Sequence, residues 1–371
     1  MAIAGTRLEI RDTEGVDKIT QVEKVTSPYH SDGASTLGSG NIISSSLTDT
    51  NEKYFFGISH TNTPSTVEWN VAFGSTNGYG SLVEPNTKAE TNAVYKQYAS
   101  LLLASNEVTG GFIISSPGTD SAVASGRDDE IYVVSARRSN MKDRLNKGSW
   151  TLVFSGSLTD GTTYKKLSLT DDSVEDNPTS TPVGDRYNII SGAAGTLHNS
   201  TVSSSTAKTY GHFYPDMGIM VFSAAELSAS IPGKGGSGGV DRNAVVNFDS
   251  ASQRGFGFTT NTDANYKTPL RLINSLTQKG SMTFRDEEDQ VSAQYFCRVH
   301  SGQANFSNNN TFVSGGLNEL RHTKMKGNPV TFITSVQLYN AAGEMVAVGN
   351  LSTPLKKSFS SEATIKVKLT Y

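Results

Sequence analysis

The chain has 371 residues, a hydrophobic content of 36%, a charged content of 18% and a formal net charge of −3. This near-neutral balance provides neither a basic footprint for nucleic acid nor a polybasic patch for anionic lipid. The single cysteine, Cys297, excludes an intrachain disulfide and favours assembly in a reducing cytoplasm. The N-terminus does not read as a signal peptide, and no apolar run approaches the ~20 residues needed to span a bilayer.

The first part of the chain predicts a β-rich lobe with one helix. Periodicity predicts strands over residues 19–25, 53–59 and 66–73. The best helix follows over about 88–104, where Thr87–Glu90 fits a capping box. Its apolar positions lie on one face at helical spacing; they are Val94, Tyr98, Leu101 and Leu102.

The middle of the chain is less regular. A strand pair is predicted over 130–135 and 150–154, separated by a short polar helical turn over 140–145 that Gly148 closes. Residues 156–210 are polar and typical of loops, although a strand is predicted over 187–190. A further strand is predicted over 218–222. Ser223–Glu226 is a second capping box that opens a short helix ending before Pro232. Residues 269–276 fit either a helix or a strand.

The C-terminal segment from Pro329 to Tyr371 predicts three consecutive strands. They cover 330–338, 344–351 and 363–371, with a turn at 339–343 and a crossover at 353–358. A preceding strand over 294–299 opens this sheet. Since chain ends usually fray, a regular strand up to the last residue predicts an end built into a sheet that can accept a partner strand.

These patterns predict a mainly β, multi-lobed β-sandwich or sheet protein with one or two short helices. We expect three regions: an N-terminal β-rich lobe with one helix (1–155), a loop-rich middle region with insertions (156–285) and a C-terminal antiparallel sheet (286–371). The terminal sheet, about 294–371, is the expected scaffold and docking segment. The loops at 156–210 and 233–265 are expected at interfaces or at the surface.

The glycine-rich loop 233–239 matches both a dinucleotide fingerprint and a hydrolase nucleophile elbow. Both sites need a strand running into the loop and a helix leaving it. Here Pro232 precedes the loop and a polar segment follows it. A plain loop is therefore the better interpretation.

The other candidates for chemistry also favour structural roles. The six histidines show no metal-ligand spacing; they are His30, His60, His198, His212, His300 and His322. His212 is the one expected in a buried polar role. The acidic runs 171–176 and 286–289 lack the spaced pattern of a calcium loop, and solvated loops are expected. The remaining candidates are Cys297, expected as a small hydrophobe, the basic residues Arg137, Arg138, Lys142 and Arg144, expected as a solvated cluster, and Trp69 and Trp150, expected in the core.

Several segments resemble a family of virion structural proteins of T4-like, contractile-tailed phages, including those that infect cyanobacteria. The C-terminal segments that carry the resemblance are Phe306–Phe312, Thr331–Asn340 (Thr-Phe-Ile-Thr-Ser-Val-Gln-Leu-Tyr-Asn), Met345–Leu355 and Ile365–Leu369. Earlier segments are similar in the same order; they are Trp69–Gly74, Gly78–Gly80, Ala93–Tyr98, Ile131–Val134, Lys142–Trp150, His212–Ile219 and Phe284–Glu288. Asn310 replaces the family's proline, and 156–208 fits poorly.

The resemblance implies a non-enzymatic structural subunit of a tailed-phage virion, most simply a baseplate wedge protein present in multiple copies. It implies no catalytic, cofactor-binding or metal-binding residues and no cofactor. The implied partners are other tail or baseplate proteins and further copies of the chain, without nucleic acid or membrane. The implied location is the virion, assembled in the host cytoplasm. The alternatives are a neck, collar or capsid-associated protein, or a receptor- or glycan-binding protein that presents loops such as Asn77–Gly80.

Overall fold

The computed structural model describes residues 17–46, 55–78, 89–105, 111–114, 127–157, 164–198, 207–230, 268–277, 279–317 and 319–371. The described chain is mainly β with several sheets, as the sequence predicts. It divides into two compact units. One comprises residues 25–288, and the other comprises the residues up to Lys24 together with Asp289–Tyr371.

The strands and helices are numbered in chain order. The first strands are β1 (Lys18–Pro28), β2 (Thr36–Gly38), β3 (Ile42–Ser46), β4 (Phe55–His60), β5 (Val67–Ser75), β6 (Glu130–Ala136), β7 (Arg144–Leu145), β8 (Thr151–Ser157), β9 (Tyr164–Asp171), β10 (Thr179–Thr181) and β11 (Gly184–Ala193). The later strands are β12 (Thr196–Leu197), β13 (Thr209–Tyr214), β14 (Ile219–Ser223), β15 (Ser281–Thr283), β16 (Arg285–Val299), β17 (Val313–Ser314), β18 (Glu319–Leu320), β19 (Thr331–Tyr339), β20 (Met345–Lys357) and β21 (Ala363–Thr370). The helices are α1 (Glu90–Leu102), α2 (Ala224–Ser230) and α3 (Thr268–Thr277).

A thirteen-stranded antiparallel sheet forms the unit of residues 25–288. Its main order is β2-β15-β8-β9-β11-β13-β14-β6-β5-β4-β3, with β10 and β12 paired to β11. Its terminal strands β2 and β3 are consecutive in the chain and are joined by one 3-10 turn, Ser39–Asn41. Helix α3 contacts strands from both ends of the order, including β8 and β15 at one end and β3 and β4 at the other. The sheet therefore curls until its two ends come close together beside α3.

Alternate side chains along the strands enter two large, separate cores, and a smaller third cluster comprises Ile190, Leu197 and Ala207. On β6, Tyr132 and Val134 enter the inner core, whereas Ile131 and Val133 enter the outer core. The inner core is packed with side chains, among them the two tryptophans and residues of α2 and α3. Both Trp69 and Trp150 are fully buried there, so their predicted core role is confirmed.

Helix α1 covers the outer face of the sheet, and the predicted helix over 88–104 is confirmed in type and place. The helix begins at Glu90 with Ala89 as its N-cap and no side-chain capping bond, so the predicted capping box is wrong; Thr87 itself lies outside the described residues. Leu101, predicted on the apolar face, is 40% exposed. Gly74 of β5 allows the close approach of the helix, because a Cβ there would lie 2.9 Å from the backbone of Tyr95.

Two further expectations need correction. Residues 156–210 are not mainly loop: they supply β9 to β12 to the thirteen-stranded sheet, and Leu169, Ile189 and Ile190 are fully buried. The strand predicted over 187–190 is confirmed as part of β11. The helical turn predicted over 140–145 is instead a 3-10 turn at Arg138–Asn140 followed by β7. The second capping box is confirmed, since the Glu226 amide donates to Ser223 Oγ at 3.3 Å at the start of α2.

Residues 269–276, whose sequence fits either a helix or a strand, belong to helix α3. The predicted boundaries at residues 155 and 285 both fall within strands, β8 and β16. The glycine-rich loop 233–239 and the rest of 233–265 lie outside the described residues. Among the helices that the structure describes, none has the length and apolarity to cross a membrane.

The sequence predicts that the last three strands form one sheet. In the structure they belong to two different sheets. The last strand, β21, pairs antiparallel with β16 from Ala363 opposite Val299 to Thr370 opposite Ser292. Among the described residues, strands β19 and β20 pair only with each other, and β20 runs to Lys357, through most of the segment 353–358 that was predicted to cross over. The terminal strand is thus built into a sheet, but its neighbour is β16 and not β20.

Candidate functional site

The acidic run 286–289 and the basic residues near 142, which the sequence presents as separate solvated groups, meet in the structure. Strand β7 pairs with the start of β16, with Arg144 opposite Glu287. Arg144 Nε lies 2.8 Å from Glu287 Oε1, and Lys142 Nζ lies 3.0 Å from Glu288 Oε1. Glu287 is only 3% exposed, and its second oxygen accepts a bond from Asn146 Nδ2 at 2.5 Å. These charges therefore fasten β7 to β16 and serve the fold.

Asp286 is the exception in this run because burial, the largest influence, raises its pKa to about 7. Lys142 opposes this rise and Glu288 adds to it. The side chain is 3% exposed, and its Oδ1 has no hydrogen-bond partner within the described part of the chain. Asp286 therefore carries a proton in the folded state at a pH where it is ionised in the unfolded chain.

We expect Asp286→Asn to flatten the pH dependence of stability between about pH 4 and 7. In that window the folded wild type binds more protons at Asp286 than the unfolded chain, so its free energy of unfolding falls as the pH rises. The variant, which is neutral throughout, should lose this slope and be more stable than wild type above pH 7. Urea unfolding at a series of pH values measures the difference, with the exposed Asp176→Asn as control. Parallel curves for Asp286→Asn and wild type would contradict the assignment.

The second acidic run, 171–176, forms a structural turn. Both carboxylate oxygens of Asp171 accept from the Gly148 amide, at 3.0 and 2.9 Å. Asp172 accepts from the amide and the side chain of Asn188, each at 2.9 Å. Burial raises the pKa of both aspartates. No group of three His, Cys, Asp or Glu side chains suited to a metal ion occurs among the described residues.

The histidines divide into buried and exposed sets. His212 is buried, as expected, with Nε2 3.0 Å from the carbonyl oxygen of Ile113, and burial lowers its pKa to about 3. His60 is also buried; it accepts from the Asn62 amide at Nδ1 and lies 3.1 Å from Asp32 through Nε2. The exposed set comprises His198, His300 and His322.

A buried polar network surrounds Glu68 at the edge of the inner core. Tyr29 donates its hydroxyl to the Glu68 carbonyl at 2.6 Å and accepts from the Arg137 amide at 2.9 Å. The Glu68 carboxylate accepts from the Ser31 amide at 3.0 Å. Nearby, Trp69 Nε1 donates to His30 Nε2 at 3.4 Å. Neither Glu68 nor Tyr29 belongs to a sequence motif, and the one available signal was a glutamate between apolar neighbours, Val67 and Trp69, in a strand.

Cys297 lies in β16 and is partly exposed. Burial, with a smaller contribution from Asp17, raises the pKa of its thiol. A raised pKa disfavours the thiolate, the reactive form of cysteine. The residue therefore fits the expected role of a small hydrophobe.

The β19–β20 hairpin carries many of the exposed large hydrophobic side chains of the described chain. Six of its large hydrophobic side chains are exposed, at 38% to 62%; they are Phe332, Tyr339, Met345, Val346, Val348 and Leu355. Lys357 is the one residue of the two strands that is buried. An isolated two-stranded hairpin is marginally stable in water, and exposed apolar patches of this kind mark interaction sites.

The base and the tip of the hairpin are both well fixed. At the base, Lys357 Nζ donates to the carbonyl oxygens of Ser301 and Ser358 and to Asn305 Oδ1, at 3.0, 2.9 and 2.9 Å. At the tip, the Asn340 amide donates to the Glu344 carbonyl at 2.9 Å, and the Glu344 amide donates to Asn340 Oδ1 at 2.8 Å. The hairpin is therefore held at its base and its tip, while its apolar side chains remain exposed.

Comparison of the chain with protein-family models, with curated proteins and with solved structures finds no match.

Proposed function

We propose that this chain is a non-enzymatic structural subunit of a contractile-tailed phage particle, most simply a baseplate wedge protein that assembles in several copies. The observation that carries the proposal is the anchored β19–β20 hairpin with apolar side chains on exposed positions. A subunit of a large assembly needs such surfaces, because contacts with its neighbours bury them.

The sequence resemblance supports the same conclusion. Two of its clearest segments, Thr331–Asn340 and Met345–Leu355, are the two strands of the exposed hairpin. In the described part of the chain, the groups that could have suggested chemistry hold turns and strands together; examples are Glu287 with Arg144 and Asp171 with Gly148. These contacts favour a structural role.

The receptor- or glycan-binding alternative depends on an aromatic loop at Asn77–Gly80. Its aromatic residue, Tyr79, lies outside the described residues. The described structure therefore offers no observation that favours this alternative over an assembly role.

The position of the protein in purified particles tests the proposal. Residues 174–180 are exposed, so a short epitope tag inserted after Asn177 should be accessible. We expect immunoelectron microscopy to place the tag at the distal end of the tail, with untagged particles as control. Signal on the head or neck would reject the baseplate assignment and keep a structural role. Absence of the chain from purified particles by mass spectrometry would reject the whole proposal.

A further inference from the structure

Strand β19 presents an edge that lacks two of the usual protections against pairing, charged residues and proline, although its register against β20 shifts between Ile333 and Ser335 and between Leu338 and Tyr339. Its nine residues, Thr-Phe-Ile-Thr-Ser-Val-Gln-Leu-Tyr, contain no charge, no proline and no glycine. Natural proteins usually protect exposed edges with charged residues, prolines or bulges, because free N–H and C=O groups recruit further strands. Strand β19 pairs only with β20 in the described chain, so its outer edge is open.

The other edges of the same unit are protected. The β21 sequence contains Lys366 and Lys368, and β1 contains Lys18, Glu23 and Lys24. On the far side of the hairpin, β20 contains Pro354 and contacts β21. Edge pairing is therefore favoured at β19 and disfavoured at the other edges.

We propose that the β19 edge pairs antiparallel with β19 of a second copy of this chain, joining two hairpins into a four-stranded sheet. This inference rests on the proposed function, because it assumes that the hairpin is a surface through which the chain assembles. The partner is a second copy of the chain, and the contact is the edge of β19. The sequence had predicted that the terminal strand, β21, would accept the partner strand.

The residues of β19 are self-complementary under a two-fold axis. Antiparallel pairing centred on Ser335 places Phe332 opposite Leu338 of the second copy and Thr334 opposite its Val336. Apolar and β-branched pairs of this kind stabilise antiparallel strands, whereas like charges placed opposite each other would destabilise them. An uncharged strand satisfies both requirements.

The charges that flank β19 favour the same orientation. The tip of the hairpin carries Glu344, while the segment 321–326 before its base carries Arg321, Lys324 and Lys326 and no acidic residue. Both regions are exposed. Antiparallel pairing brings the acidic tip of one hairpin towards the basic base of the other, and vice versa. A parallel arrangement would bring tip to tip and base to base, with like charges together.

Two variants of the 371-residue chain test the two-fold contact. In a Cys297→Ala background, Ser335→Cys places one cysteine from each copy at the symmetry axis. Directly opposed residues of antiparallel strands have Cα atoms about 4.5–5.5 Å apart, which a disulfide can bridge. Mild oxidation should then give a covalent dimer on non-reducing gels. Absence of this product would overturn the proposal even if other variants fail to fold.

Ser335→Lys should weaken the dimer, because it places two lysines directly opposite each other. The matched control is Asn350→Lys, since Asn350 is exposed and pairs with Ser335 on the β20 side of the same hairpin. In sedimentation equilibrium we expect a wild-type dimer, at least a roughly tenfold higher dissociation constant for Ser335→Lys, and less than about a threefold change for Asn350→Lys. Equal effects of the two lysines, or a wild-type monomer at ~100 μM, would overturn the proposal.

These results separate the inference from the proposed function. A monomeric chain that is nevertheless found in purified particles would reject the β19 pairing and retain the virion role. A chain that dimerises through β19 but is absent from particles would reject the virion role and retain the pairing.

Discussion

Replacement of Phe284 by alanine is expected to lower the free energy of unfolding of the residue 25–288 unit by about 3–5 kcal/mol. Phe284 is fully buried and lies between the two tryptophans: its ring centroid is 4.5 Å from that of Trp69 and 5.3 Å from that of Trp150. The ring of Trp150 is nearly parallel to it, at an interplanar angle of 15°. Removing the phenyl group therefore leaves a cavity between large side chains and removes two aromatic contacts.

Urea unfolding followed by tryptophan fluorescence measures this effect directly, because both tryptophans of the chain belong to the same core. The control is Leu101→Ala, which truncates a side chain that is 40% exposed on α1. We expect that variant to change the free energy of unfolding by less than about 1 kcal/mol. Similar losses in the two variants would show that Phe284 does not hold the inner core together.

Gly211→Ala is expected to cost roughly 3 kcal/mol or to prevent folding of the sheet. Gly211 lies in β13, where a Cβ would lie 2.2 Å from the carbonyl oxygen of Val221 and 3.2 Å from Cδ1 of Ile189. Val221 belongs to the neighbouring strand β14, so its carbonyl cannot move without disturbing the β13–β14 pairing. The extra methyl group therefore has no space in the centre of the sheet.

The matched control is Gly38→Ala in the terminal strand β2 of the same sheet. Nothing lies within 4 Å of a Cβ at that position. The substitution should be neutral or slightly stabilising, within about 1 kcal/mol, because alanine restricts the unfolded chain more than glycine does. Thermal unfolding of the two variants tests the contrast. A well-folded Gly211→Ala protein with wild-type stability would show that β13 and β14 are not packed as closely as the structure places them.

Hydrophobic periodicity predicts most of the individual elements. Residues 66–73, 130–135 and 363–371 form strands, and 88–104 contains α1, because their side-chain patterns have a period that only one secondary structure fits. Strand β13 was missed because Thr209–Tyr214 is buried at every position and carries a glycine and a histidine, so no alternation is visible.

Strand order could not be predicted in the same way. Pairing between β2 and β15, or between β21 and β16, joins residues far apart in the chain, and no local pattern encodes it. The same limit applies to the candidate site. The apolar residues of Thr331–Tyr339 predict a strand, but they give no signal that it remains exposed and that the terminal strand pairs elsewhere. Likewise, the ion pair of Arg144 with Glu287 depends on the β7–β16 register.

The position of β2 at one end of the main sheet also bears on how the chain folds during synthesis. In the described part of the chain it pairs with β15 alone, and the hydroxyls of Thr36 and Thr283 meet at 3.0 Å across a separation of 247 residues. Contacts this distant in sequence are slow to form, because the intervening chain must first be ordered. On a ribosome, β2 emerges early but has no strand to pair with until residue 283 has left the exit tunnel. We therefore expect the curled sheet to close after translation of β15, and nascent chains that end before this strand to remain sensitive to proteases.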